Sequence, residues 1–212
     1  MVAIDHFFVH VRRDAPEQQR LVDAGVPVGL RRTHPGQGTR NVCFSFADSY
    51  LELLWIDDEG AAQSATSAPL RLIERNNWRQ SQASPFGICL RGDGDAPPFE
   101  HWHYRPEYLP KDMSIAIANG SDSSKEPMLF QLDRTFEPFG EAHALSKLQL
   151  HSVVLTTPNL SDTSPLSTMR LPRFLAVEGE EHLLTISLQD ARGNVGDRQL
   201  DLRPDLPVSL HW

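Results

Sequence analysis

Apolar positions crowd the first stretch of this chain, interrupted by Asp5, His6 and His10. Residues 2–11 (VAIDHFFVHV) are rich in β-branched and aromatic side chains and predict a buried strand. The pattern then changes: Asp14 stands as an N-cap, Pro16 falls in the first turn and Glu17 follows at capping-box spacing. Leu21 and Val22 supply the apolar face of that helix, and Gly25 is placed to end it. Residues 26–32 predict a second strand, followed by the turn-rich HPGQGTR at 34–40. In NVCFSFAD (41–48), Val42, Phe44 and Phe46 alternate with Cys43 and Ser45, as in a strand. A turn at Asp48-Ser49 leads into YLELLWI (50–56). The predicted order is strand, helix, three strands.

That order recurs. Ser67 is positioned to cap a helix with Pro69 in its first turn and Leu70, Ile73 and Trp78 on its apolar face. Strands are predicted at 84–92, 99–105, 113–119 and 126–133. Laying YLELLWID over EPMLFQLD pairs Glu52 with Met128, and laying DHFFVHV over FGICLRG pairs His6 with Gly87. Beyond this repeat, 148–157 reads as a strand, and the Pro- and Ser-rich stretch 158–172 supports no convincing helix. Segments 173–179 and 181–190 predict a hairpin turning at Gly179, and a last short strand is expected near 198–202. These tail strands are expected to extend or cover the repeated sheets. The division is 1–60, 61–140 and 141–212: a first module, a second degenerate module and a β extension.

Composition narrows the function. Twenty Lys and Arg against 28 Asp and Glu give a net charge of −8 with no basic block, so nucleic acid is not an expected partner. No apolar run approaches the roughly 20 residues that span a bilayer, so no membrane is expected either. The start MVAIDHFFVHVRR does not read as a signal peptide, and two isolated cysteines form no disulfide framework. A soluble cytoplasmic protein is the expectation. Sixteen prolines and thirteen glycines spread along the chain favour many short elements over a helical bundle.

The Asp5-His6 pair in the first strand, HPGQGTRN at 34–41 and YLELLWI at 50–56 resemble the glyoxalase-like domain proteins of the vicinal oxygen chelate superfamily. The resemblance is most specific over 4–58 and topological over 84–133. It implies an α+β fold: paired βαβββ modules forming a curved, mostly antiparallel sheet around a cavity, here with extra C-terminal strands. It also implies a divalent metal (Fe, Mn, Ni or Zn) held by His6 and Glu52, which are the candidate catalytic pair. Gly87 and Met128, their counterparts in module two, bind no hard cation, so glyoxalase I activity itself is not supported.

The residues leave alternatives open. His6 and Glu52 suit a metal or a buried polar network. Alternation places His10 on the face of His6. His101 and His103 share a strand face and form either a chelating pair, with His103 as third ligand, or two half-buried histidines. The loop glycines Gly36 and Gly38 serve a tight turn or an anion cradle. His34, Arg40 and Asn41 are candidate pocket-rim residues, and Trp55 and Trp102 are candidates for substrate contact. Cys43 and Cys89 read as buried structural thiols, and no G-x-S-x-G elbow or nucleotide fingerprint occurs. Three functions remain: a metal-dependent lyase, isomerase or dioxygenase acting on a small oxygenated metabolite; a non-catalytic binding protein of the same fold; and a homodimer joined through strand edges.

Overall fold

The computed structural model describes residues 2–92, 94, 96–132 and 146–212. The opening apolar run forms β1 (Ala3–His10), followed by helix α1 (Gln18–Asp23) and strands β2 (Val28–His34), β3 (Thr39–Ser45) and β4 (Tyr50–Ile56). The second round begins with α2 (Glu59–Ala62) and α3 (Leu72–Asn76), then β5 (Phe86–Arg91), β6 (His101–Tyr104), β7 (Ile115–Ala118) and β8 (Met128–Leu132). Together these eight strands make one sheet in the order β2-β3-β4-β1-β5-β8-β7-β6. Within each half the first and last strands pair in parallel, β1 with β4 and β5 with β8. The halves join antiparallel through β1 and β5. The curved, mostly antiparallel α+β fold expected from the resemblance is borne out. The first expected module boundary falls inside α2, and the second lies outside the described residues.

The helix signals lead to local structures other than those expected. Asp14 adopts φ 64° and caps nothing; Glu17 sits at the helix entrance, and its carboxylate accepts from the Arg12 backbone and guanidinium and from Arg79. An ion-pair cluster therefore replaces the capping box. Leu21 is buried while Val22 is exposed, so the apolar face is a single residue wide. Gly25 ends the helix as expected: its amide reaches Val22 O, and the Val26 amide reaches Leu21 O, the paired bonds of a Schellman cap. The second predicted helix is broken. Ser67 makes no side-chain cap, a 3₁₀ turn covers Ala68–Leu70, and Arg71 in the left-handed region separates it from α3.

The tail forms β9 (Gln149–Thr157), α4 (Pro165–Thr168), β10 (Phe174–Glu178), β11 (Leu183–Gln189), β12 (Gln199–Asp201) and β13 (Val208–His211). They make a second sheet, β10-β9-β11-β13-β12. The expected 173–190 hairpin is not formed, because β9 lies between its two strands, parallel to β10 and antiparallel to β11. The crossover through α4 sets that order by returning the chain alongside β9. Gly179 is the point where the chain passes Thr156 so closely that a Cβ would lie 2.3 Å from its methyl group. Strand β13 was not anticipated. The second sheet covers the back of the first: Val153, Leu155, Leu184 and Ile186 share a core with Phe7, Val9, Leu51, Leu53 and Ile88. With that face sealed, the alternate residues of β1 and β4 face a cavity on the other side.

Candidate functional site

The cavity measures about 420 Å³ and is lined from both halves of the eight-stranded sheet. His6 and Phe8 on β1, Asn41 on β3, and Tyr50, Glu52 and Leu54 on β4 reach it from module one. Met128, Phe130 and Leu132 on β8 and Ile115 and Ile117 on β7 form the opposite wall. The two overlays made on sequence are two residues out of step. In the structure Gly87 lies beside Met128, but Glu52 lies beside Phe8 and His6 beside Tyr50. If Glu52 corresponds to Met128, Phe8 rather than His6 corresponds to Gly87.

The polar end is built around His6. A β-bulge interrupts β1 between Ile4 and His6, and the Asp5 carboxylate lies 2.7 Å from His6 Nδ1. With a carboxylate as acceptor, Nδ1 donates, and Nε2 faces Glu52. Nε2 is 3.6 Å from Glu52 Oε2, beyond hydrogen-bond length. The other carboxylate oxygen of Glu52 accepts from Asn41 Nδ2 at 2.5 Å, and Asn41 Oδ1 accepts from the Arg32 amide. The imidazole is clamped by ring contacts, stacked on Tyr50 at 4.2 Å and edge-on to Phe130 at 5.6 Å. Burial, and then the Glu52 charge, raise the Tyr50 phenol well above its ordinary range, so it stays neutral.

His34 and Asn41 line the cavity as expected. Burial lowers the His34 pKa; its Nδ1 meets Thr39 Oγ1 at 2.8 Å, and its ring lies 4.9 Å from Tyr108. The remaining expected site residues are not on the cavity wall. Arg40 alternates outward from Asn41 and pairs with Asp57 at 2.8 Å. Trp55 alternates away from Leu54 into the core beneath the second sheet. His103 alternates away from the cavity residue Tyr104, is exposed, and meets Ser114 Oγ at 2.9 Å, so it is no third ligand to His6 and Glu52. His101 shares that face, 5.0 Å from His103. Trp102 packs on the cavity-side apolar cluster without reaching the lining. His10 shares the face of His6 but is wholly buried behind Phe8.

The loop glycines serve the turn. Gly36 and Gly38 have positive φ, and a Cβ on Gly38 would lie 2.1 Å from Asp58 O. The Gln37 and Gly38 amides both donate back to His34 O, which removes them from an anion cradle. Asp5, Tyr50 and Tyr108 were missed. Strict alternation puts Asp5 on the opposite face from His6, and only the bulge brings its carboxylate to the ring.

Gly87 has a packing reason rather than a lost ligand: a Cβ there would lie 2.0 Å from the Phe8 ring. Gly87→Ala is expected to swing that ring into the cavity and to cost about 1–3 kcal/mol. Urea unfolding checks this; an unshifted midpoint would show that the ring does not depend on the gap.

Among the described residues, one three-ligand grouping stands within coordinating reach: Asp5, His6 and Cys89. Cys89 is fully buried, its thiol points to Leu90 O, and burial pushes its pKa well up, so it packs as a neutral thiol. Cys43 is likewise free, and its thiol is raised by burial.

A family model of the glyoxalase-like domain matches residues 4–171. The chain therefore belongs to the glyoxalase-like domain family. A search of curated proteins finds no match. Among solved structures, a hypothetical protein from Staphylococcus aureus superposes with a TM-score of 0.58 at 13% identity, covering 99% of this chain and 98% of that one. Its cover extends over the C-terminal sheet as well. Methylmalonyl-CoA epimerase from Mycobacterium tuberculosis matches at TM-score 0.41 and 10% identity, over 64% of this chain and 89% of that one. A Streptomyces coelicolor methylmalonyl-CoA epimerase variant in complex with 2-nitronate-propionyl-CoA gives 0.41 and 14%, over 63% and 98%. No helix among the described residues is long and apolar enough to cross a membrane.

Proposed function

We propose that this chain is a metal-dependent enzyme acting on a small oxygenated metabolite, with His6 and Glu52 as metal ligands and reacting groups. One observation carries the reading. His6 Nε2 and a carboxylate oxygen of Glu52 face each other at 3.6 Å, too far for a hydrogen bond and suited to sharing a cation. Two donors on one ion at about 2.1 Å each lie about 3.0–3.6 Å apart. The donor set, one neutral imidazole and one carboxylate, suits Fe(II), Mn(II), Ni(II) or Zn(II). Asp5 behind His6 is the outer partner that a metal-bound histidine commonly has.

A divalent ion held there supplies Lewis acidity to a substrate oxygen. Asp5 keeps the imidazole in one tautomer, and Asn41 binds one oxygen of Glu52 so that the other faces His6. The apolar wall from β7 and β8 excludes water around the substrate body. A second reading, a non-catalytic binding protein, is favoured by that same wall, since Met128 and Phe130 offer no hard-cation ligand.

Metal titration separates the two. Wild-type protein is expected to bind one equivalent of Mn(II) or Zn(II). His6→Ala with Glu52→Ala is expected to weaken binding at least about a hundredfold, because loss of an outer partner alone costs about 10–100-fold. Equal metal content in the two proteins by elemental analysis overturns the metal assignment and leaves the binding protein.

A further inference from the structure

The proposed function leaves Cys89 unused, and that thiol does not stand alone. Register sets Tyr50, His6, Cys89 and Phe130 side by side on β4, β1, β5 and β8, so they share the cavity face of the sheet. The His6 and Phe130 rings, on the strands either side of Cys89, meet at 5.6 Å and close over it. Its side chain is wholly buried. The bulge in β1 brings the Asp5 carboxylate to the same place. An Asp5 oxygen, a His6 ring nitrogen and Cys89 Sγ lie within 4.8 Å of one another, all on buried residues. The nitrogen on that side is Nδ1, since Asp5 lies against it at 2.7 Å.

We propose that Asp5, His6 Nδ1 and Cys89 form a second cation site, for a thiophilic divalent ion such as Zn(II) or Cd(II). One thiolate, one imidazole and one carboxylate make a tetrahedral donor set with its fourth position open, and the sulfur favours a soft ion over Mn(II) or Mg(II). Donors at about 2.0–2.3 Å in a tetrahedron stand about 3.3–3.6 Å apart. The three atoms therefore need to close by no more than about 1 Å. Cys89 is a neutral thiol until an ion draws off its proton, which leaves to solvent. The ring proton passes from Nδ1 to Nε2, which then points its N–H toward Glu52 Oε2. A neutral imidazole has one lone pair, so His6 serves one ion at a time: with Glu52 through Nε2, or with Asp5 and Cys89 through Nδ1. The site stands without the proposed His6–Glu52 assignment; the exclusion between the two ions rests on it.

The experiment is titration of chelator-treated wild-type protein with Cd(II) alone, followed by the sulfur-to-cadmium charge-transfer band in the ultraviolet. The band is expected to saturate at one equivalent. Cys89→Ser is expected to abolish it, and Asp5→Asn to weaken Cd(II) binding at least about tenfold. Glu52→Gln and Cys43→Ser are expected to keep the band. Cys43→Ser leaves Cys89 as the sole cysteine of the chain, so it decides the matter if Cys89→Ser does not fold. No band in wild type, a band surviving Cys89→Ser, or a band lost with Cys43→Ser would overturn the site. Wild type loaded with Mn(II) is expected to release it as the band grows, read by electron paramagnetic resonance. Mn(II) retained at full band overturns the exclusion. A full band in protein that binds no Mn(II) supports this site and counts against the His6–Glu52 assignment, so the two failures are told apart.

Discussion

Arg75→Met is expected to lower the unfolding free energy by about 3–5 kcal/mol, more than Gly87→Ala. Arg75 on α3 is the largest fully buried side chain. Its guanidinium donates to the carbonyls of Glu126 at 2.7 Å, Ser121 at 2.8 Å and Ser123 at 3.0 Å, with longer bonds to Leu70, Ser84 and Ser124. Burial lowers its pKa to about 10, so it remains protonated at neutral pH. A planar fork of five donors is the one side chain able to satisfy so many convergent carbonyls. Methionine fills the space and takes that donor from each of these carbonyls, of which Ser124 O keeps the Ser84 amide. Since a domain is stable by only about 5–15 kcal/mol, the variant is expected to be marginal. Urea unfolding followed by circular dichroism measures the loss. Arg75→Lys should recover part of it, and a midpoint within error of wild type for Arg75→Met would refute the account.

The second large effect is acid sensitivity seated at His10. Its ring is fully buried, with the Asn76 side chain beside it. Desolvation first, and then the nearby Arg75 charge, lower its pKa to about 3, with Asn76 opposing the shift. The unfolded chain has His10 near 6.5 and therefore binds a proton that the folded chain refuses. Stability is complete above about pH 6.5 and declines as pH falls toward 3, by about 1.4 kcal/mol per pH unit. By pH ~4.5 the loss from this group is about 2.7 kcal/mol. His10→Leu is expected to remove that slope with no loss at neutral pH. His182, lowered to about 4 by burial, retains a smaller dependence of the same sign in the variant. Urea midpoints for the two proteins across this range provide the test; parallel curves would show that His10 is not the acid-labile group.

Much of the fold was legible because burial on both faces leaves a strong local mark. VAIDHFFVHV and YLELLWI are apolar at most positions on both faces, as strands covered on both sides are, and they became β1 and β4 at the centre of the larger sheet. His6, Glu52, His34 and Asn41 were identified, and the structure brings them to one cavity. Arg40 and Trp55 could have been set aside on sequence, since each is an odd step along a strand from Asn41 or Glu52, which face inward. The broken helix at 67–80 was harder. Its apolar spacing is helical, but Arg75 draws the segment toward carbonyls some fifty residues later in sequence, an attraction no local window contains.

Hydrophobic periodicity in the sequence determined most of the strands though not β13, that they recur as two modules, and that an imidazole and a carboxylate stand on central strands. These are local properties, set by which side of each residue meets water. Tertiary structure alone decided the pairing of β9 with both β10 and β11, the bulge that carries the Asp5 carboxylate to His6, and the apolar wall that module two sets opposite them. Each of these depends on contacts between residues far apart in the chain, whose free energy appears only when the sheets close on one another.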